Sequence, residues 1–376
     1  MKKGLNCLFI ALMSIISMPS FAQKEILYVG TYSQRDSKGI YVFKVDRKNL
    51  DFKIIQTISS WSDPNFLAIH PNGKYLYSVV AIEDGDGIKQ DAAAAFKIDK
   101  SGMLSPLNQV PTHGKGACHI SLDRNGDWAF VSHYDSGSLA VFPVLGNGCL
   151  GDTIDFIQHA GSSLTTRQTG PHVHSALVSP DNKYLYVADL GTDKTMIYSF
   201  NEDSGKLDRN LNLSGASQPG AGPRHFTFHP SLPFLYLAEE LSSSVTVFRR
   251  DEMSGSLSPV QNLSTLPDNF EGDNAVADIH ITSNGKFVYV SNRGHNSIAI
   301  FSAAKDGKLK LLAHEPVQGD HPRNFLIDPR GEFLLVANKN TDNIVVFIID
   351  KKTGLLKYSG TTLYVPSPVC LKWKLH

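Results

Sequence analysis

The sequence predicts an all-β fold: a seven-bladed β-propeller whose last blade is closed by the C-terminal strand pairing with N-terminal strands. Three observations carry this. First, one six-residue phrase recurs. It reads Asn72-Gly73-Lys74-Tyr75-Leu76-Tyr77, Asn125-Gly126-Asp127-Trp128-Ala129-Phe130, and Asp181-Asn182-Lys183-Tyr184-Leu185-Tyr186. It returns as Ser231-Leu232-Pro233-Phe234-Leu235-Tyr236, Asn284-Gly285-Lys286-Phe287-Val288-Tyr289 and Arg330-Gly331-Glu332-Phe333-Leu334-Leu335. Second, its copies are spaced by 53, 56, 50, 53 and 46 residues, a period that marks one supersecondary unit repeated around an axis or along a solenoid. Third, the two ends of the chain carry complementary fragments of one further unit.

Each unit holds four short strands, as the fourth copy illustrates. Arg224-His225-Phe226-Thr227-Phe228 alternates and is β-prone, and His229-Pro230-Ser231-Leu232-Pro233 turns the chain. Phe234-Leu235-Tyr236-Leu237 is apolar and short enough for a buried strand. Ser242-Ser243-Ser244 turns again, Val245-Thr246-Val247-Phe248 is a third strand, and 257–263 is a weaker outer one. Four antiparallel strands in about 50 residues make a propeller blade. At the N-terminus, Ile26-Leu27-Tyr28-Val29, Ile40-Tyr41-Val42-Phe43 and Phe52-Lys53-Ile54-Ile55 read as second, third and fourth strands without a first. Pro368-Val369-Cys370-Leu371-Lys372-Trp373 reads as a first strand without followers. Joining them completes a seventh blade and removes the open edge.

Met1-Lys2-Lys3, an apolar stretch over 5–18 and Ser20-Phe21-Ala22 predict a secretory signal over 1–22, followed by one exported, periplasmic domain over 23–376. The apolar stretch is too short for a spanning helix. Lysine plus arginine equals aspartate plus glutamate at 36 each, which gives no reason to expect nucleic acid or an anionic membrane as partner. Cys118, Cys149 and Cys370 are widely spaced and read as small buried hydrophobes. There is no Cys-x-x-Cys pair, nucleophile elbow, phosphate loop or His-Glu-x-x-His. Glu83-Asp84-Gly85-Asp86-Gly87 lacks the spacing of a calcium loop. No cofactor is expected.

Strand polarity sorts the polar residues. The first two strands of a blade are antiparallel, so the start of the first and the end of the second share one face of the disc. His70 and His229 sit in the intervening turns and belong to the other face. At the first face the starting positions are Asn65, Cys118, His174, Arg224, Ala277, Arg323 and Val369. The ends of the second strands give Tyr32, Tyr134, Glu240 and Arg293, with His133, Asp189, Glu239, Asn292 and Asn338 beside them. Strand interiors stay apolar while this rim varies chemically, as expected of a pocket. The densest cluster is His172, His174, Arg224, His225, Glu240, His280, Arg293 and Arg323. Arginines suit a carboxylate or phosphate, and histidine and glutamate suit proton transfer. Mutual ion pairs tying blades together are the structural alternative. His172-Val173-His174 could chelate a metal, but no third ligand has the usual spacing, so no metal is assigned.

These motifs resemble the seven-bladed propeller lactonases, a family that groups bacterial 6-phosphogluconolactonases with fungal carboxymuconate cyclases. The similar segments are Gly170-Pro171-His172-Val173-His174, Tyr186-Val187-Ala188-Asp189-Leu190-Gly191, Gly222-Pro223-Arg224-His225-Phe226, Glu240-Leu241-Ser242-Ser243 and Tyr289-Val290-Ser291-Asn292-Arg293-Gly294. His321-Pro322-Arg323-Asn324-Phe325 fits less distinctively. The resemblance implies a catalytic set of His174 (or His172), Arg224, Glu240 and Arg293, with His172, His225, His280, Arg323 and Asp189 contacting substrate. It implies a small-molecule lactone or sugar acid as partner. The family usually has Asn-Glu-Leu where this chain has Glu239-Glu240-Leu241, which brings an extra carboxylate to the rim.

The expected activity is hydrolysis of a sugar lactone such as 6-phospho-D-glucono-1,5-lactone, with His174 or Glu240 as base and Arg224 and Arg293 holding the anionic group and the developing oxyanion. Export leaves an unphosphorylated aldonolactone open. The alternatives are a non-catalytic propeller that binds a protein or glycan on its rim, and a cycloisomerase of unsaturated dicarboxylates using the same arginines.

Overall fold

The computed structural model describes residues 25–83 and 89–375. The predicted leader over 1–22 and Asp84-Gly85-Asp86-Gly87 lie outside the described residues.

Seven four-stranded antiparallel sheets surround a central channel. The closing blade holds β1 (Glu25–Thr31), β2 (Ile40–Asp46) and β3 (Asp51–Ile58). The next holds β4 (Ser62–Ile69), β5 (Tyr75–Glu83), β6 (Lys89–Ile98) and β7 (Leu104–Pro111). The third holds β8 (Ala117–Leu122), β9 (Trp128–His133), β10 (Ser138–Pro143) and β11 (Asp155–Gln158). The fourth holds β12 (Val173–Val178), β13 (Tyr184–Asp189), β14 (Lys194–Phe200) and β15 (Leu207–Ala216). The fifth holds β16 (Pro223–Phe228), β17 (Phe234–Glu239), β18 (Ser244–Arg250) and β19 (Leu257–Ser264). The sixth holds β20 (Ala275–Ile281), β21 (Phe287–Arg293), β22 (Ser297–Ala303) and β23 (Leu309–Pro316). The seventh holds β24 (Pro322–Ile327), β25 (Phe333–Asn338), β26 (Asn343–Ile349) and β27 (Leu356–Tyr364). The chain ends in β28 (Pro368–Leu375), which joins the first blade.

The closure follows the reading of the two ends. β28 pairs antiparallel with β1, Trp373 opposite Leu27 and Leu371 opposite Val29, in a sheet ordered β28-β1-β2-β3. Arg47, in the turn after β2, then ties this blade to the seventh. Its guanidinium donates to Glu25 at 2.9 Å, to Asp328 at 2.5 Å and to Glu332 at 2.7 Å, and lies over the rings of Phe333 and Trp373.

Apolar clusters are drawn from neighbouring blades all the way round. Tyr289 and Phe301 of the sixth blade pack in the two clusters that flank it, against the seventh and fifth blades respectively. In three of the six copies the last residue of the repeated phrase has a second task. Tyr77, Tyr186 and Tyr289 each donate a hydroxyl to the carbonyl of a glycine in the next blade's outer turn, Gly148, Gly255 and Gly354. Tyr28 does the same to Gly102. In these copies one tyrosine serves both the core and the joint between blades.

The inner turns meet in a similar way. A Cβ on Gly126 would stand 2.4 Å from the His70 ring, and one on Gly285 would stand 2.5 Å from the His229 ring. Both glycines have positive φ, so these turns need glycine for conformation and for space. His229 Nδ1 accepts the backbone N–H groups of Ser231 and Leu232, the local bonding expected of a turn histidine.

Candidate active site

All seven inner strands begin with a register shift: Ser62/Phe66, Ala117/His119, Val173/Ser175, Pro223/Phe226, Val276/Ile279, Pro322/Asn324 and, opposite β28, Gly30/Thr31. A regular strand sends successive side chains to opposite faces, whereas a bulge turns two neighbours the same way. The channel therefore carries two polar tiers. The upper one, including Asn65, Cys118, His174, Arg224 and Arg323, surrounds a void of ≈ 10 Å³. The lower one, including His119, Ser175, His225, Asp278 and Asn324, lines a cavity of ≈ 610 Å³ that continues past Leu177, Thr227 and His280 toward the inner turns.

Above the upper tier, where the inner strands begin, lies a cavity of ≈ 340 Å³. Its walls differ in sign. Arg167, Arg293 and Arg323 line it with Glu240 and His174, whereas Asp63, Asp91 and Asp135 form an acidic group that also lines a neighbouring cavity, and Tyr32, Asn65, Cys118 and Tyr134 complete the lining.

Glu240 organises the guanidiniums. Arg224 Nε donates to Oε2 at 2.8 Å, Arg293 Nη2 lies 3.0 Å from the same oxygen, and Arg167 Nη1 lies 2.8 Å from Oε1. Burial alone would raise its pKa, but Arg293, Arg224 and Arg167 reverse that and hold the carboxyl well below the usual range. Arg224 is almost wholly buried and also donates to the Ala277 carbonyl. Burial, with Arg293 beside it, brings its pKa down to about 9. Arg293 is fixed by the carbonyls of Ala275 and Val276 at 3.2 and 3.0 Å. Arg323 donates to the Tyr32 hydroxyl at 2.8 Å and lies over that ring.

His174 lines both the cavity and the void, with Nδ1 3.9 Å from the Cys118 thiol. Burial and the Arg224 charge push its pKa well below the ordinary value, so its imidazole is neutral near pH 7. Burial pushes the Cys118 thiol up to about 12, which leaves it protonated and unreactive. Asp91 is pushed up by burial while accepting the Gly116 N–H at 2.6 Å.

Five of the predicted residues, His174, Arg224, Glu240, Arg293 and Arg323, come together around this cavity and the void beneath it. His225 reaches the void from the tier below, and the others are placed elsewhere. His172 stacks on Tyr134 and its Nδ1 lies 2.8 Å from the Tyr134 carbonyl. Asp189 is buried and accepts the His172 and Gly191 N–H groups while pairing with His159 at 2.7 Å. His225 belongs to the lower tier and His280 to the cavity below it. The bulges explain this: they add a tier that strict alternation does not contain. Glu239 is a correction. The extra carboxylate does not join the rim but is fully buried behind it, accepting the Ser217 hydroxyl at 2.7 Å.

Sequence reasoning missed Arg167 and the three aspartates. Arg167 comes from the loop between β11 and β12, which has no counterpart in the repeat. That loop is held by Gln168, which donates to the Leu190 carbonyl and to Asp193, and Arg167 itself reaches the Tyr134 hydroxyl at 2.7 Å. Asp91 lies on β6, a third strand, whereas the rim was read from first and second strands. Among the described residues, no group of three or more histidine, cysteine, aspartate or glutamate side chains is arranged to hold a metal.

The family model for seven-bladed β-propeller lactonases matches residues 26–373. The chain belongs to this family. Its members open cyclic esters, and that reaction class is this lactonase's own. It is 38% identical to a 6-phosphogluconolactonase of Bacillus subtilis (strain 168), over 93% of this chain and 98% of that one. It is also 38% identical to a 6-phosphogluconolactonase of Formosa agariphila, covering 88% and 94%. Among solved structures, the periplasmic gluconolactonase of Pseudomonas aeruginosa superposes with a TM-score of 0.85 at 32% identity, over 93% of this chain and 99% of that one. No helix among the described residues is long and apolar enough to cross a membrane.

Proposed function

We propose that this lactonase opens a six-membered sugar lactone of the 6-phosphogluconolactone type in the ≈ 340 Å³ cavity. The observation that carries the reading is the set of guanidiniums held around the single carboxylate Glu240. Such preset cations suit the oxyanion that forms when water adds to the ring carbonyl. Arg293 and Arg323, which line the cavity, receive that charge. Arg224 is bound more deeply and keeps Glu240 ionised and in place. Proton acceptance falls to an imidazole, because a carboxylate held by three guanidiniums is a poor base. Asp63, Asp91 and Asp135 accept sugar hydroxyls.

That acidic wall also favours a second reading, an unphosphorylated aldonolactone, since three carboxylates would repel a dianionic phosphate. Export over 1–22 agrees with it, and so does the resemblance to a periplasmic gluconolactonase. We place the mature N-terminus at Gln23 in the periplasm. Mass spectrometry of periplasmic extract should find a peptide beginning at Gln23, and Met1 retained in a cytosolic fraction would contradict export.

The activity is tested by acid release from glucono-1,5-lactone, its 6-phosphate, galactono-1,4-lactone and a muconolactone, each corrected for spontaneous opening. Acceleration of a gluconolactone supports the proposal. Turnover of the muconolactone alone favours the cycloisomerase reading, and no turnover favours a binding platform.

A further inference from the structure

Below the upper tier lies an arrangement that the lactonase reading has not used. His225 Nδ1 sits 2.8 Å from Asp278 Oδ1. Asp278 is saturated by other donors: His280 Nε2 lies 3.0 Å from Oδ2, and that oxygen also takes Asn324 Nδ2 at 2.5 Å and the Phe325 N–H at 3.3 Å. The Ile279 N–H donates to Oδ1 at 3.1 Å. Burial would raise the Asp278 pKa, but His280 and His225 hold it well below the usual range. The carboxylate is thus ionised and immobile. A carboxylate accepts, so His225 must carry its proton on Nδ1 and present a bare lone pair at Nε2. That nitrogen is buried and has no hydrogen-bond partner, in a residue only 7% exposed.

His225 also lines the void of ≈ 10 Å³ between the upper cavity and the lower tier, sharing it with His174, Arg224 and Arg323. That volume matches about one water molecule, and its lining is polar enough to hold one. His174 lacks a comparable orienting acid: its Nδ1 neighbour is the Cys118 thiol.

Resting on the lactone-opening reading, we propose that His225, oriented by Asp278, is the general base, and that it draws a proton from a water seated in the void beneath the lactone carbonyl. The pairing of an imidazole with a buried carboxylate on its far nitrogen is how hydrolases fix an imidazole's tautomer. The step balances as follows. Water's oxygen bonds to the carbonyl carbon while its proton passes to His225 Nε2, and the carbonyl π pair moves onto oxygen beside Arg323 and Arg293. On collapse the bond from carbon to the ring oxygen breaks, and Nε2–H returns the proton to that oxygen. The aldonic acid then loses its own proton to solvent. His174 shapes the void from above. The charged and titratable neighbours of His225 are Arg224 and His174 toward the upper cavity, His119 across the channel, Asp278 and His280 in the next blade, and Lys372 over the Phe66 ring. Burial, with Arg224 next, pushes its pKa down to about 4, so the bare nitrogen persists at neutral pH.

The test pairs kinetics with a tautomer measurement on the full mature chain. With the gluconolactone opened fastest by the wild type, His225→Gln lowers kcat by about 100-fold or more while KM and gluconate binding change less than about threefold. Asp278→Asn lowers kcat at least about tenfold, and long-range ¹⁵N–¹H correlation of histidine-labelled protein shows His225 leaving the Nδ1–H tautomer. His174→Gln loses less kcat than His225→Gln. Retention of more than a tenth of wild-type kcat by His225→Gln overturns the assignment, as does an Nε2–H tautomer in the wild type. If the wild type opens no lactone, the lactone-opening reading fails by itself. The tautomer spectrum, which needs no turnover, still decides the dyad.

Discussion

Arg224 shows how a residue at a rim position can be structural as well as functional. Its side chain is only 2% exposed and is shared between Glu240 and a backbone carbonyl. Arg224→Ala should therefore cost about 3 kcal/mol of stability as well as activity, measured by denaturant unfolding, because breaking a buried pair leaves charge unbalanced. Glu239 gives a prediction with a sign. Burial pushes its pKa up to about 7, so between the ordinary carboxylate range and pH 7 the unfolded chain gives up a proton that the folded chain retains. Unfolding free energy then falls as pH rises through that window and levels off above it. Glu239→Gln should be more stable than wild type by up to about 3 kcal/mol at pH 8, with the gap closing by pH 4. At this scale the sequence was legible where residue and repeat position coincide. His174, Arg224 and Arg323 were found from the start of each inner strand, and Glu240 and Arg293 from the end of each second strand. His225 was legible only as a substrate contact, and Asp278 was missed, because a bulge, which leaves no mark in the hydrophobic alternation, turns a second residue into the channel.

The joint between blades is an element-scale device, and it makes a paired prediction. Tyr186 donates its hydroxyl to Gly255, whereas the Tyr236 hydroxyl is buried without a partner. Tyr186→Phe should lower stability by about 1 kcal/mol, and Tyr236→Phe should leave it unchanged or raise it, since the second change removes an unsatisfied polar group. Equal losses from both would contradict the joint. Strands and turns were legible because each blade repeats the same alternation of apolar run and glycine or asparagine turn. The loop from β11 to β12 was not, since it occurs once and its place is set by Gln168 bonding to Leu190 and Asp193 rather than by a local pattern. Arg167 was lost with it.

The whole molecule depends on a ring closed by its last strand. Removing residues 368–376 deletes β28 and leaves β1 as an open edge, so the truncated chain should lose the size-exclusion peak of the full chain and aggregate. Closure also gives the channel two unlike mouths, an upper one of arginines and aspartates and a lower one lined by His119, His280 and Lys372. Lactone chemistry is placed by the proposal above at the upper mouth. A crystal structure with gluconolactam, which keeps the shape of the lactone but resists hydrolysis, tests this most directly. The lactam carbonyl oxygen should lie within hydrogen-bond distance of Arg293 or Arg323, the ring hydroxyls on Asp91 or its neighbours, and the carbonyl carbon above the void that His225 lines. A lactam bound in the lower cavity, or in the upper cavity with its carbonyl turned to the aspartates, would contradict it.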